Sequence, residues 1–170
     1  MDCPNLDPTF ENQSTTGLWG GSTMINNNAY SGSYAARLDD NSQWGGGFEV
    51  EITGLSPLTK YEFSAFVKVS ISGESGSLVV KDQGAGPITE NFSNIGYENK
   101  AIIFTTGLGA TSAKIAIYNG AGGTAVLYVD DLSLYDLGPS NPNMLEPIES
   151  TDYQLIWNDE FNSNGAIDNT

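Results

Sequence analysis

Three aromatic residues lie in polar, glycine-rich segments, outside the apolar runs that a core would use. Trp19 lies in GLWGG (residues 17–21), Trp44 in NSQWGG (41–46) and Tyr97 in NIGYEN (94–99). An aromatic ring can stack on the weakly polar C–H face of a sugar, while polar side chains nearby hydrogen-bond the sugar hydroxyls. All three residues are therefore candidates for ligand contact. The alternative is that each ring only closes one end of the fold.

A pair of carboxylates offers a second kind of chemistry. Glu49 and Glu51 alternate on one predicted strand, with about the reach of the carboxylate pairs that hydrolyse glycosides at ~5–5.5 or ~6.5–9.5 Å. Solvent-facing acids are the simpler interpretation. The chain has no histidine, so triad hydrolysis and histidine-based zinc catalysis are excluded within it. We therefore expect no enzymatic activity from this chain.

Composition narrows the range of partners. The 170 residues carry 21 acidic and 6 basic side chains, for a net charge of −15. That balance argues against nucleic acid and disfavours anionic membranes, sulfated galactans and alginate. The one cysteine, Cys3, allows neither an internal disulfide framework nor a multi-cysteine zinc site. No apolar run approaches the ~20 residues of a membrane span.

Short apolar runs separated by Gly, Pro and Asn turns predict an all-β domain. The clearest run is 61–69, where Tyr61, Phe63, Ala65 and Val67 alternate onto one face. Several such strands favour a β-sandwich (jelly-roll) of two antiparallel sheets. The predicted strands are 34–38, 47–52, 61–69, 77–81, 100–104, 113–118 and 126–135.

Strand alternation also predicts which side chains share the face opposite the core. If Ile115 and Ile117 are core residues, Lys114 and Tyr118 lie on the other face. The same argument along 77–83 gives Lys81 and Gln83, and Arg37 falls on this face by parity as well. The residues expected on this face are Tyr118, Lys114, Lys81, Gln83 and Arg37. Four of the six basic residues (Arg37, Lys68, Lys81, Lys114) could then share one face; the alternative is a chance grouping of surface charges.

The composition changes after Leu137. Residues 138–151 are rich in Pro and Asn and predict an extended linker, so the domain is expected to span 5–137. Residues 155–162 (LIWNDEFN) resemble the opening strand of family 16 glycoside hydrolases, the laminarinase, lichenase and agarase group. The resemblance implies that 152–170 is the truncated start of such a catalytic domain, and that the parent is an endo-β-1,3-glucanase. The catalytic Glu-x-Asp-x-x-Glu string of that family is absent here; a chance match is the alternative.

Four strings in the main domain resemble calcium-containing β-sandwich carbohydrate-binding modules of families 4, 9, 16 and 22. Tyr118 and Gln83 match groove positions of those modules. The strings are NLDPTFE (5–11), YSGSYAARL (30–38), LSPLTKYEFSAFVK (55–68) and LYVDDLSL (127–134).

The resemblance implies a structural calcium ion, which takes about six to eight oxygen ligands. Carried onto this chain, the ligands are the carbonyls of Thr9 and Gly32 and the carboxylates of Glu11 and Asp131. Asp130 is the alternative to Asp131, since adjacent strand residues face opposite sides. The other interpretation is that these are ordinary solvated acids.

The sequence therefore predicts a non-catalytic carbohydrate-binding module that targets a polysaccharide hydrolase to neutral β-glucan, above all β-1,3-glucan (laminarin). Mixed-linkage glucan, xylan or agar are alternative ligands, and a calcium-stabilised structural or adhesion spacer is an alternative function. We expect a monomer that is secreted or displayed on a bacterial cell surface.

Overall fold

The computed structural model describes residues 8–25, 28–39, 45–119 and 126–140. Trp44, the predicted linker beyond residue 140 and the predicted catalytic-domain start at 152–170 lie outside these residues. Within the described part, no helix is long and apolar enough to cross a membrane.

The described residues form ten strands and contain no helix. The strands are β1 Leu18–Trp19, β2 Thr23–Ile25, β3 Ala35–Asp39, β4 Gly47–Thr53, β5 Thr59–Val69, β6 Gly76–Lys81, β7 Ile88–Phe92, β8 Glu98–Thr105, β9 Ser112–Asn119 and β10 Val126–Pro139.

The strands build two antiparallel five-stranded sheets. Sheet 1 has the order β1-β4-β9-β6-β7, and sheet 2 has the order β2-β3-β10-β5-β8. Apolar residues from the inner faces of both sheets form one buried cluster, as in sandwich folds where each strand alternates between core and solvent. The predicted all-β sandwich of two antiparallel sheets is confirmed.

Alternation correctly identified the core faces of the longer strands. Tyr61, Phe63, Ala65 and Val67 are each at most 1% exposed along β5. Alternate residues of β6 and β9 are likewise buried. Strands β1, β2 and β7 were not predicted, because two are only 2 and 3 residues long and β7 is almost entirely exposed. Such segments carry no alternating apolar signal.

Strand β10 has two features that shape the domain. Its register with β5 shifts between Asp130 and Ser133, and Asp131 there adopts a positive φ of 44°, as at a β-bulge. The strand then continues past Leu137, pairing Pro139 with Thr59. The ordered sandwich therefore extends beyond the residue at which the composition changes.

Candidate functional site

The outer face of sheet 1 brings together side chains from its three central strands. Strand register aligns Gly47 of β4, Tyr118 of β9 and Ser77 of β6 in one row. Glu49 lies in the next row, and Lys81 lies at the end of β6. Lys114 and Tyr118 project to this face, as strand alternation predicted, because Ile115 and Ile117 are buried.

Three of these side chains form a closed hydrogen-bond network. The Tyr118 hydroxyl donates to Glu49 Oε2, and Lys81 Nζ donates both to Glu49 Oε2 and to the Tyr118 oxygen, at 2.9 Å each. The side chains of Lys81 and Glu49 remain 32% and 28% exposed. The network is therefore ordered but still accessible to a ligand.

Trp19 adds a second aromatic ring beside Tyr118. The two ring centroids are 6.0 Å apart in an edge-to-face arrangement, and Trp19 is 36% exposed. Trp19 pairs with Gly47 across β1 and β4, and a Cβ atom at Gly47 would lie 2.7 Å from the indole ring. The absence of a side chain at Gly47 therefore lets the indole lie close to the strand. We call Trp19, Gly47, Glu49, Lys81 and Tyr118 the Trp19 platform.

Both lysines on this face are paired with carboxylates. Lys81 pairs with Glu49, and Lys114 Nζ lies 3.1 Å from Asp82 Oδ2. Burial alone would raise the pKa of Glu49, but the hydrogen bonds from Tyr118 and Lys81 outweigh it, and the pKa is lowered. Hydrogen bonding to Tyr118 and Glu49 raises the pKa of Lys81. Both groups therefore stay charged at neutral pH, and their charges offset each other.

These pKa directions predict that ligand binding to the platform is insensitive to pH between about 5.5 and 9. The lowered pKa of Glu49 means that its contribution is present above its ordinary value of 4.5 and is lost only as the pH falls through the folded-state value. The raised pKa of Lys81 extends its charged range upward. Titrations across this range by calorimetry are expected to give a constant affinity. A tenfold change within it would mean that another group titrates in the site.

Gln83 does not lie on the platform. Asp82, directly after β6, has a positive φ of 61°, which breaks the alternation that placed Gln83 on the outer face. Its side chain is fully buried, and Nε2 donates to the Gly86 carbonyl at 2.7 Å. The expectation that Gln83 projects from the same face as Lys81 is therefore wrong.

The expected single basic face is also wrong. Lys81 and Lys114 lie on sheet 1, whereas Arg37 and Lys68 lie on β3 and β5 of sheet 2. Arg37 donates to a single carboxylate oxygen, Asp39 Oδ1, from Nε at 3.0 Å and from Nη2 at 2.9 Å. Alternation along a strand gives the face of each side chain but not the sheet to which the strand belongs.

Tyr97 lies on the outer side of sheet 2, away from Trp19. Its hydroxyl donates to the Asn28 carbonyl, and Lys68 Nζ lies 4.4 Å from its ring centroid. Burial, with the nearby Asp130 carboxylate, raises the pKa of Tyr97. The predicted aromatic candidates are thus divided between two faces, and Trp44 lies outside the described residues.

The chain segments that carry the predicted calcium ligands meet at one corner of sheet 2. Glu11 Oε1 accepts the backbone N–H groups of Ser33 and Tyr34 at 2.8 Å each. A Cβ atom at Gly32, whose φ is 59°, would overlap the Glu11 carboxylate, so this turn and Glu11 are in direct contact. Asp131 Oδ1 accepts the Ser31 hydroxyl at 3.0 Å. The backbone carbonyl of Pro8, the residue before Thr9, accepts the Leu132 N–H at 2.8 Å.

Asp130 and Asp131 have different surroundings at this corner. Asp130 is fully buried, and its oxygens accept the N–H groups of Tyr30, Ser31 and Asp131. Burial raises the pKa of Asp130, although those N–H bonds oppose the change. Within the described residues, no three acidic, histidine or cysteine side chains are grouped closely enough to hold a metal by themselves. A metal here would need backbone carbonyls as well.

Sequence reasoning missed two contributors to these surfaces. It considered Glu49 only with Glu51, whereas the structure joins Glu49 to Lys81 and Tyr118. It also did not consider Tyr30, which stacks on Phe66 with centroids 3.7 Å apart. Residues 32 positions apart on different strands give no local signal of contact. For Tyr30 a signal exists, because it is an aromatic residue in the polar YSGSY string.

Searches against known proteins give one curated match and many structural ones, while no family model matches the sequence. The chain is 34% identical over 120 residues to the keratan-sulfate endo-1,4-beta-galactosidase of Sphingobacterium multivorum. That alignment includes 69% of this chain but spans only 27% of the relative. The chain therefore covers about a quarter of the curated protein that it matches.

Solved structures similar to this chain include three carbohydrate-binding modules. A family 61 module in complex with β-1,4-galactotriose has a TM-score of 0.59 at 20% identity, with 76% of this chain and 94% of that chain covered. A family 16 carbohydrate-binding module has a TM-score of 0.59 at 19% identity, covering 76% and 97%. A family 22 xylan-binding domain of Paenibacillus barcinonensis has a TM-score of 0.58 at 15% identity, covering 75% and 90%. The chain therefore has the β-sandwich fold of carbohydrate-binding modules.

Proposed function

We propose that this chain is a non-catalytic glycan-binding module whose ligand lies across the Trp19 platform. The observation that carries the proposal is the exposed Trp19 ring next to the half-buried Tyr118 ring, beside the accessible Lys81–Glu49 ion pair. The rings offer apolar surface to the C–H face of a sugar, and the charged pair offers donors and acceptors to its hydroxyls. The similarity in fold to solved carbohydrate-binding modules supports the same role.

The geometry around Glu49 argues against glycoside hydrolysis. A general acid needs a raised pKa so that it holds a proton at working pH, whereas the pKa of Glu49 is lowered. Its Oε2 atom also accepts hydrogen bonds from both Tyr118 and Lys81. Glu49 is therefore better suited to accept hydrogen bonds from sugar hydroxyls than to transfer protons.

We propose neutral β-1,3-glucan (laminarin) as the ligand. The ion pairs Lys81–Glu49 and Lys114–Asp82 leave no unpaired lysine on this side of sheet 1 within the described residues. This favours an uncharged, hydroxyl-rich chain, because the net charge of −15 repels anionic ones. The family 16 hydrolase resemblance of residues 155–162 supports a β-1,3-glucan system. Mixed-linkage glucan, xylan and agar are the related alternatives.

A β-1,4-galactosyl glycan is a second candidate, favoured by a specific observation. The curated relative is named as an endo-1,4-beta-galactosidase, and one similar module was solved with β-1,4-galactotriose. The Trp19 platform offers the same ring surface and the same polar groups to either sugar.

Affinity gel electrophoresis tests the function and separates these ligands. Laminarin in the gel is expected to retard the protein, while keratan sulfate is expected to have no effect. Retardation by β-1,4-galactan alone would identify the second candidate, and mixed-linkage glucan, xylan and agar complete the panel. Migration unchanged in every gel would instead favour a structural or adhesion spacer. Incubation with laminarin is expected to release no new reducing ends, and their appearance would show catalysis.

We also propose a structural calcium ion at the corner formed by Thr9, Glu11, Gly32 and Asp131. Support comes from the contact between Glu11 and the Gly32 turn and from the Ser31–Asp131 hydrogen bond, which bring these segments together. Asp131 is the better carboxylate ligand, because the oxygens of Asp130 already accept three N–H groups. The bound ion would tie the N-terminal segment to β10 without taking part in chemistry.

Chelation is expected to lower the melting temperature by on the order of 5–10 °C, measured by differential scanning calorimetry. A ligand bound only to the native state at 100 times its Kd stabilises that state by about 2.7 kcal/mol. Glu11→Gln is expected to abolish the calcium dependence, whereas Glu74→Gln, away from this corner, should retain it. An identical melting curve with and without chelator would contradict the proposal.

We further propose that the module is a monomer appended to a polysaccharide hydrolase, an endo-β-1,3-glucanase, that a bacterium secretes or displays on its surface. The glycosidase name of the curated relative, of which this chain covers about a quarter, supports an enzymatic parent. Sequencing the gene to both sides of this region tests the prediction of an adjoining family 16 catalytic domain.

A further inference from the structure

We propose a second glycan-contact surface on the outer face of sheet 2, centred on Tyr30 and taking one neutral pyranose unit. This proposal rests on the proposed glycan-binding function and adds a site to it. We call Tyr30, Phe66, Lys68, Tyr97 and Tyr128 the Tyr30 patch. It lies on the opposite side of the sandwich from the Trp19 platform, since β5, β8 and β10 belong to sheet 2.

The Tyr30 ring is held by its neighbours and remains exposed. Its centroid lies 3.7 Å from that of Phe66 with the planes 10° apart, so Phe66 covers one ring face. Tyr97 lies beside it in an edge-to-face arrangement, with centroids 5.6 Å apart and planes at 61°. Tyr30 is nevertheless 47% exposed. An exposed aromatic ring is what the C–H side of a sugar ring stacks upon.

The backbone around Tyr30 is anchored as well. Its N–H donates to Asp130 Oδ2 at 2.8 Å, and the next residue, Ser31, donates its hydroxyl to Asp131 at 3.0 Å. Asn28 is held by the Tyr97 hydroxyl and by Lys68. Because both ring and backbone are already ordered, a ligand stacking here pays little conformational entropy.

Lys68 supplies the polar rim. Its Nζ lies 4.4 Å from the Tyr97 centroid and 5.0 Å from the Tyr128 centroid, and donates to Asn28 Oδ1 at 3.2 Å. An ammonium has three donors, so hydrogen-bonding capacity remains for a sugar hydroxyl. Among the described residues Lys68 forms no ion pair, whereas Lys81 and Lys114 both do. The patch thus repeats the aromatic-and-lysine chemistry of the Trp19 platform.

The overall charge of the chain favours a neutral sugar at the patch. A net charge of −15 would repel a sulfate or carboxylate substituent, while uncharged hydroxyls are unaffected. A sugar hydroxyl can accept a hydrogen bond from Lys68.

Calorimetric titration with laminarihexaose, or with β-1,4-galactotriose where laminarihexaose does not bind, tests this second surface. The intact chain is expected to bind two ligands, because one short oligosaccharide cannot reach both faces of the sandwich. Trp19→Ala and Tyr30→Ala are each expected to reduce the stoichiometry from two to one, and the double variant should bind none. Tyr135→Ala, an exposed tyrosine elsewhere on sheet 2, serves as the control and should still bind two.

Nuclear magnetic resonance of the unmodified chain gives a readout that does not depend on variant folding. Added oligosaccharide is expected to shift amide signals of β5 and β8 as well as those of β4 and β9. One bound ligand, lost with Trp19→Ala and with shifts confined to sheet 1, would overturn the second surface and leave the proposed function intact. No binding of either oligosaccharide by the intact chain would overturn both.

Discussion

Replacing Trp19 with alanine is expected to weaken glycan binding at the Trp19 platform by about ten- to a hundredfold. The indole is exposed beside Tyr118 and lies against Gly47, so it can cover a sugar face without rearrangement. Removing contact surface of this size costs roughly 1.5–3 kcal/mol, which is about one to two factors of ten in Kd. Retardation in laminarin-containing gels and calorimetric titration of the sheet 1 site measure the change.

A matched control separates stacking from a general loss of aromatic surface. Tyr135 is 61% exposed and lies on β10 of sheet 2, outside both proposed surfaces. Tyr135→Ala is expected to leave the affinity unchanged, and both variants should keep the wild-type melting temperature. Unaltered binding by a folded Trp19→Ala variant would remove the platform from the proposed function.

Replacing Asp130 with alanine is expected to destabilise the fold by about 3–5 kcal/mol, among the largest effects of any single polar substitution. The carboxylate is fully buried and accepts three backbone N–H groups, from Tyr30, Ser31 and Asp131. Alanine would leave those donors without partners and free the loop that packs over β10. Urea denaturation followed by circular dichroism measures the change in the free energy of unfolding.

Asp136 provides the control on the same strand. Its Oδ1 accepts one N–H, from Gly138 at 2.8 Å, but the residue is exposed, so water can replace it. Asp136→Ala is expected to change the free energy of unfolding by at most about 0.5 kcal/mol. Equal effects of the two substitutions would show that the N–H contacts of Asp130 are not structural.

The candidate site shows where sequence reasoning succeeds and where it ends. Lys114 and Tyr118 were placed on the correct face, because two-residue alternation is a local property of an extended chain. Gln83 was not, because the left-handed conformation of Asp82 interrupts the alternation. The sequence identifies Tyr97 as an aromatic residue outside the core. The residues next to it in sequence do not indicate that it packs beside Lys68 on sheet 2, on the opposite side of the sandwich from Trp19.

The amino-acid sequence alone determined the all-β class, the core faces of the long strands, the absence of histidine chemistry and the strongly acidic character. Each of these follows from composition or from alternation within a few residues. Only the tertiary structure decided which strands share a sheet, and hence that Arg37 and Lys68 lie opposite Lys81 and Lys114. It also decided that Glu49 pairs with Lys81 and that Tyr30 stacks on Phe66. Such pairings join residues distant in sequence, and they depend on strand order and register, which local patterns do not encode.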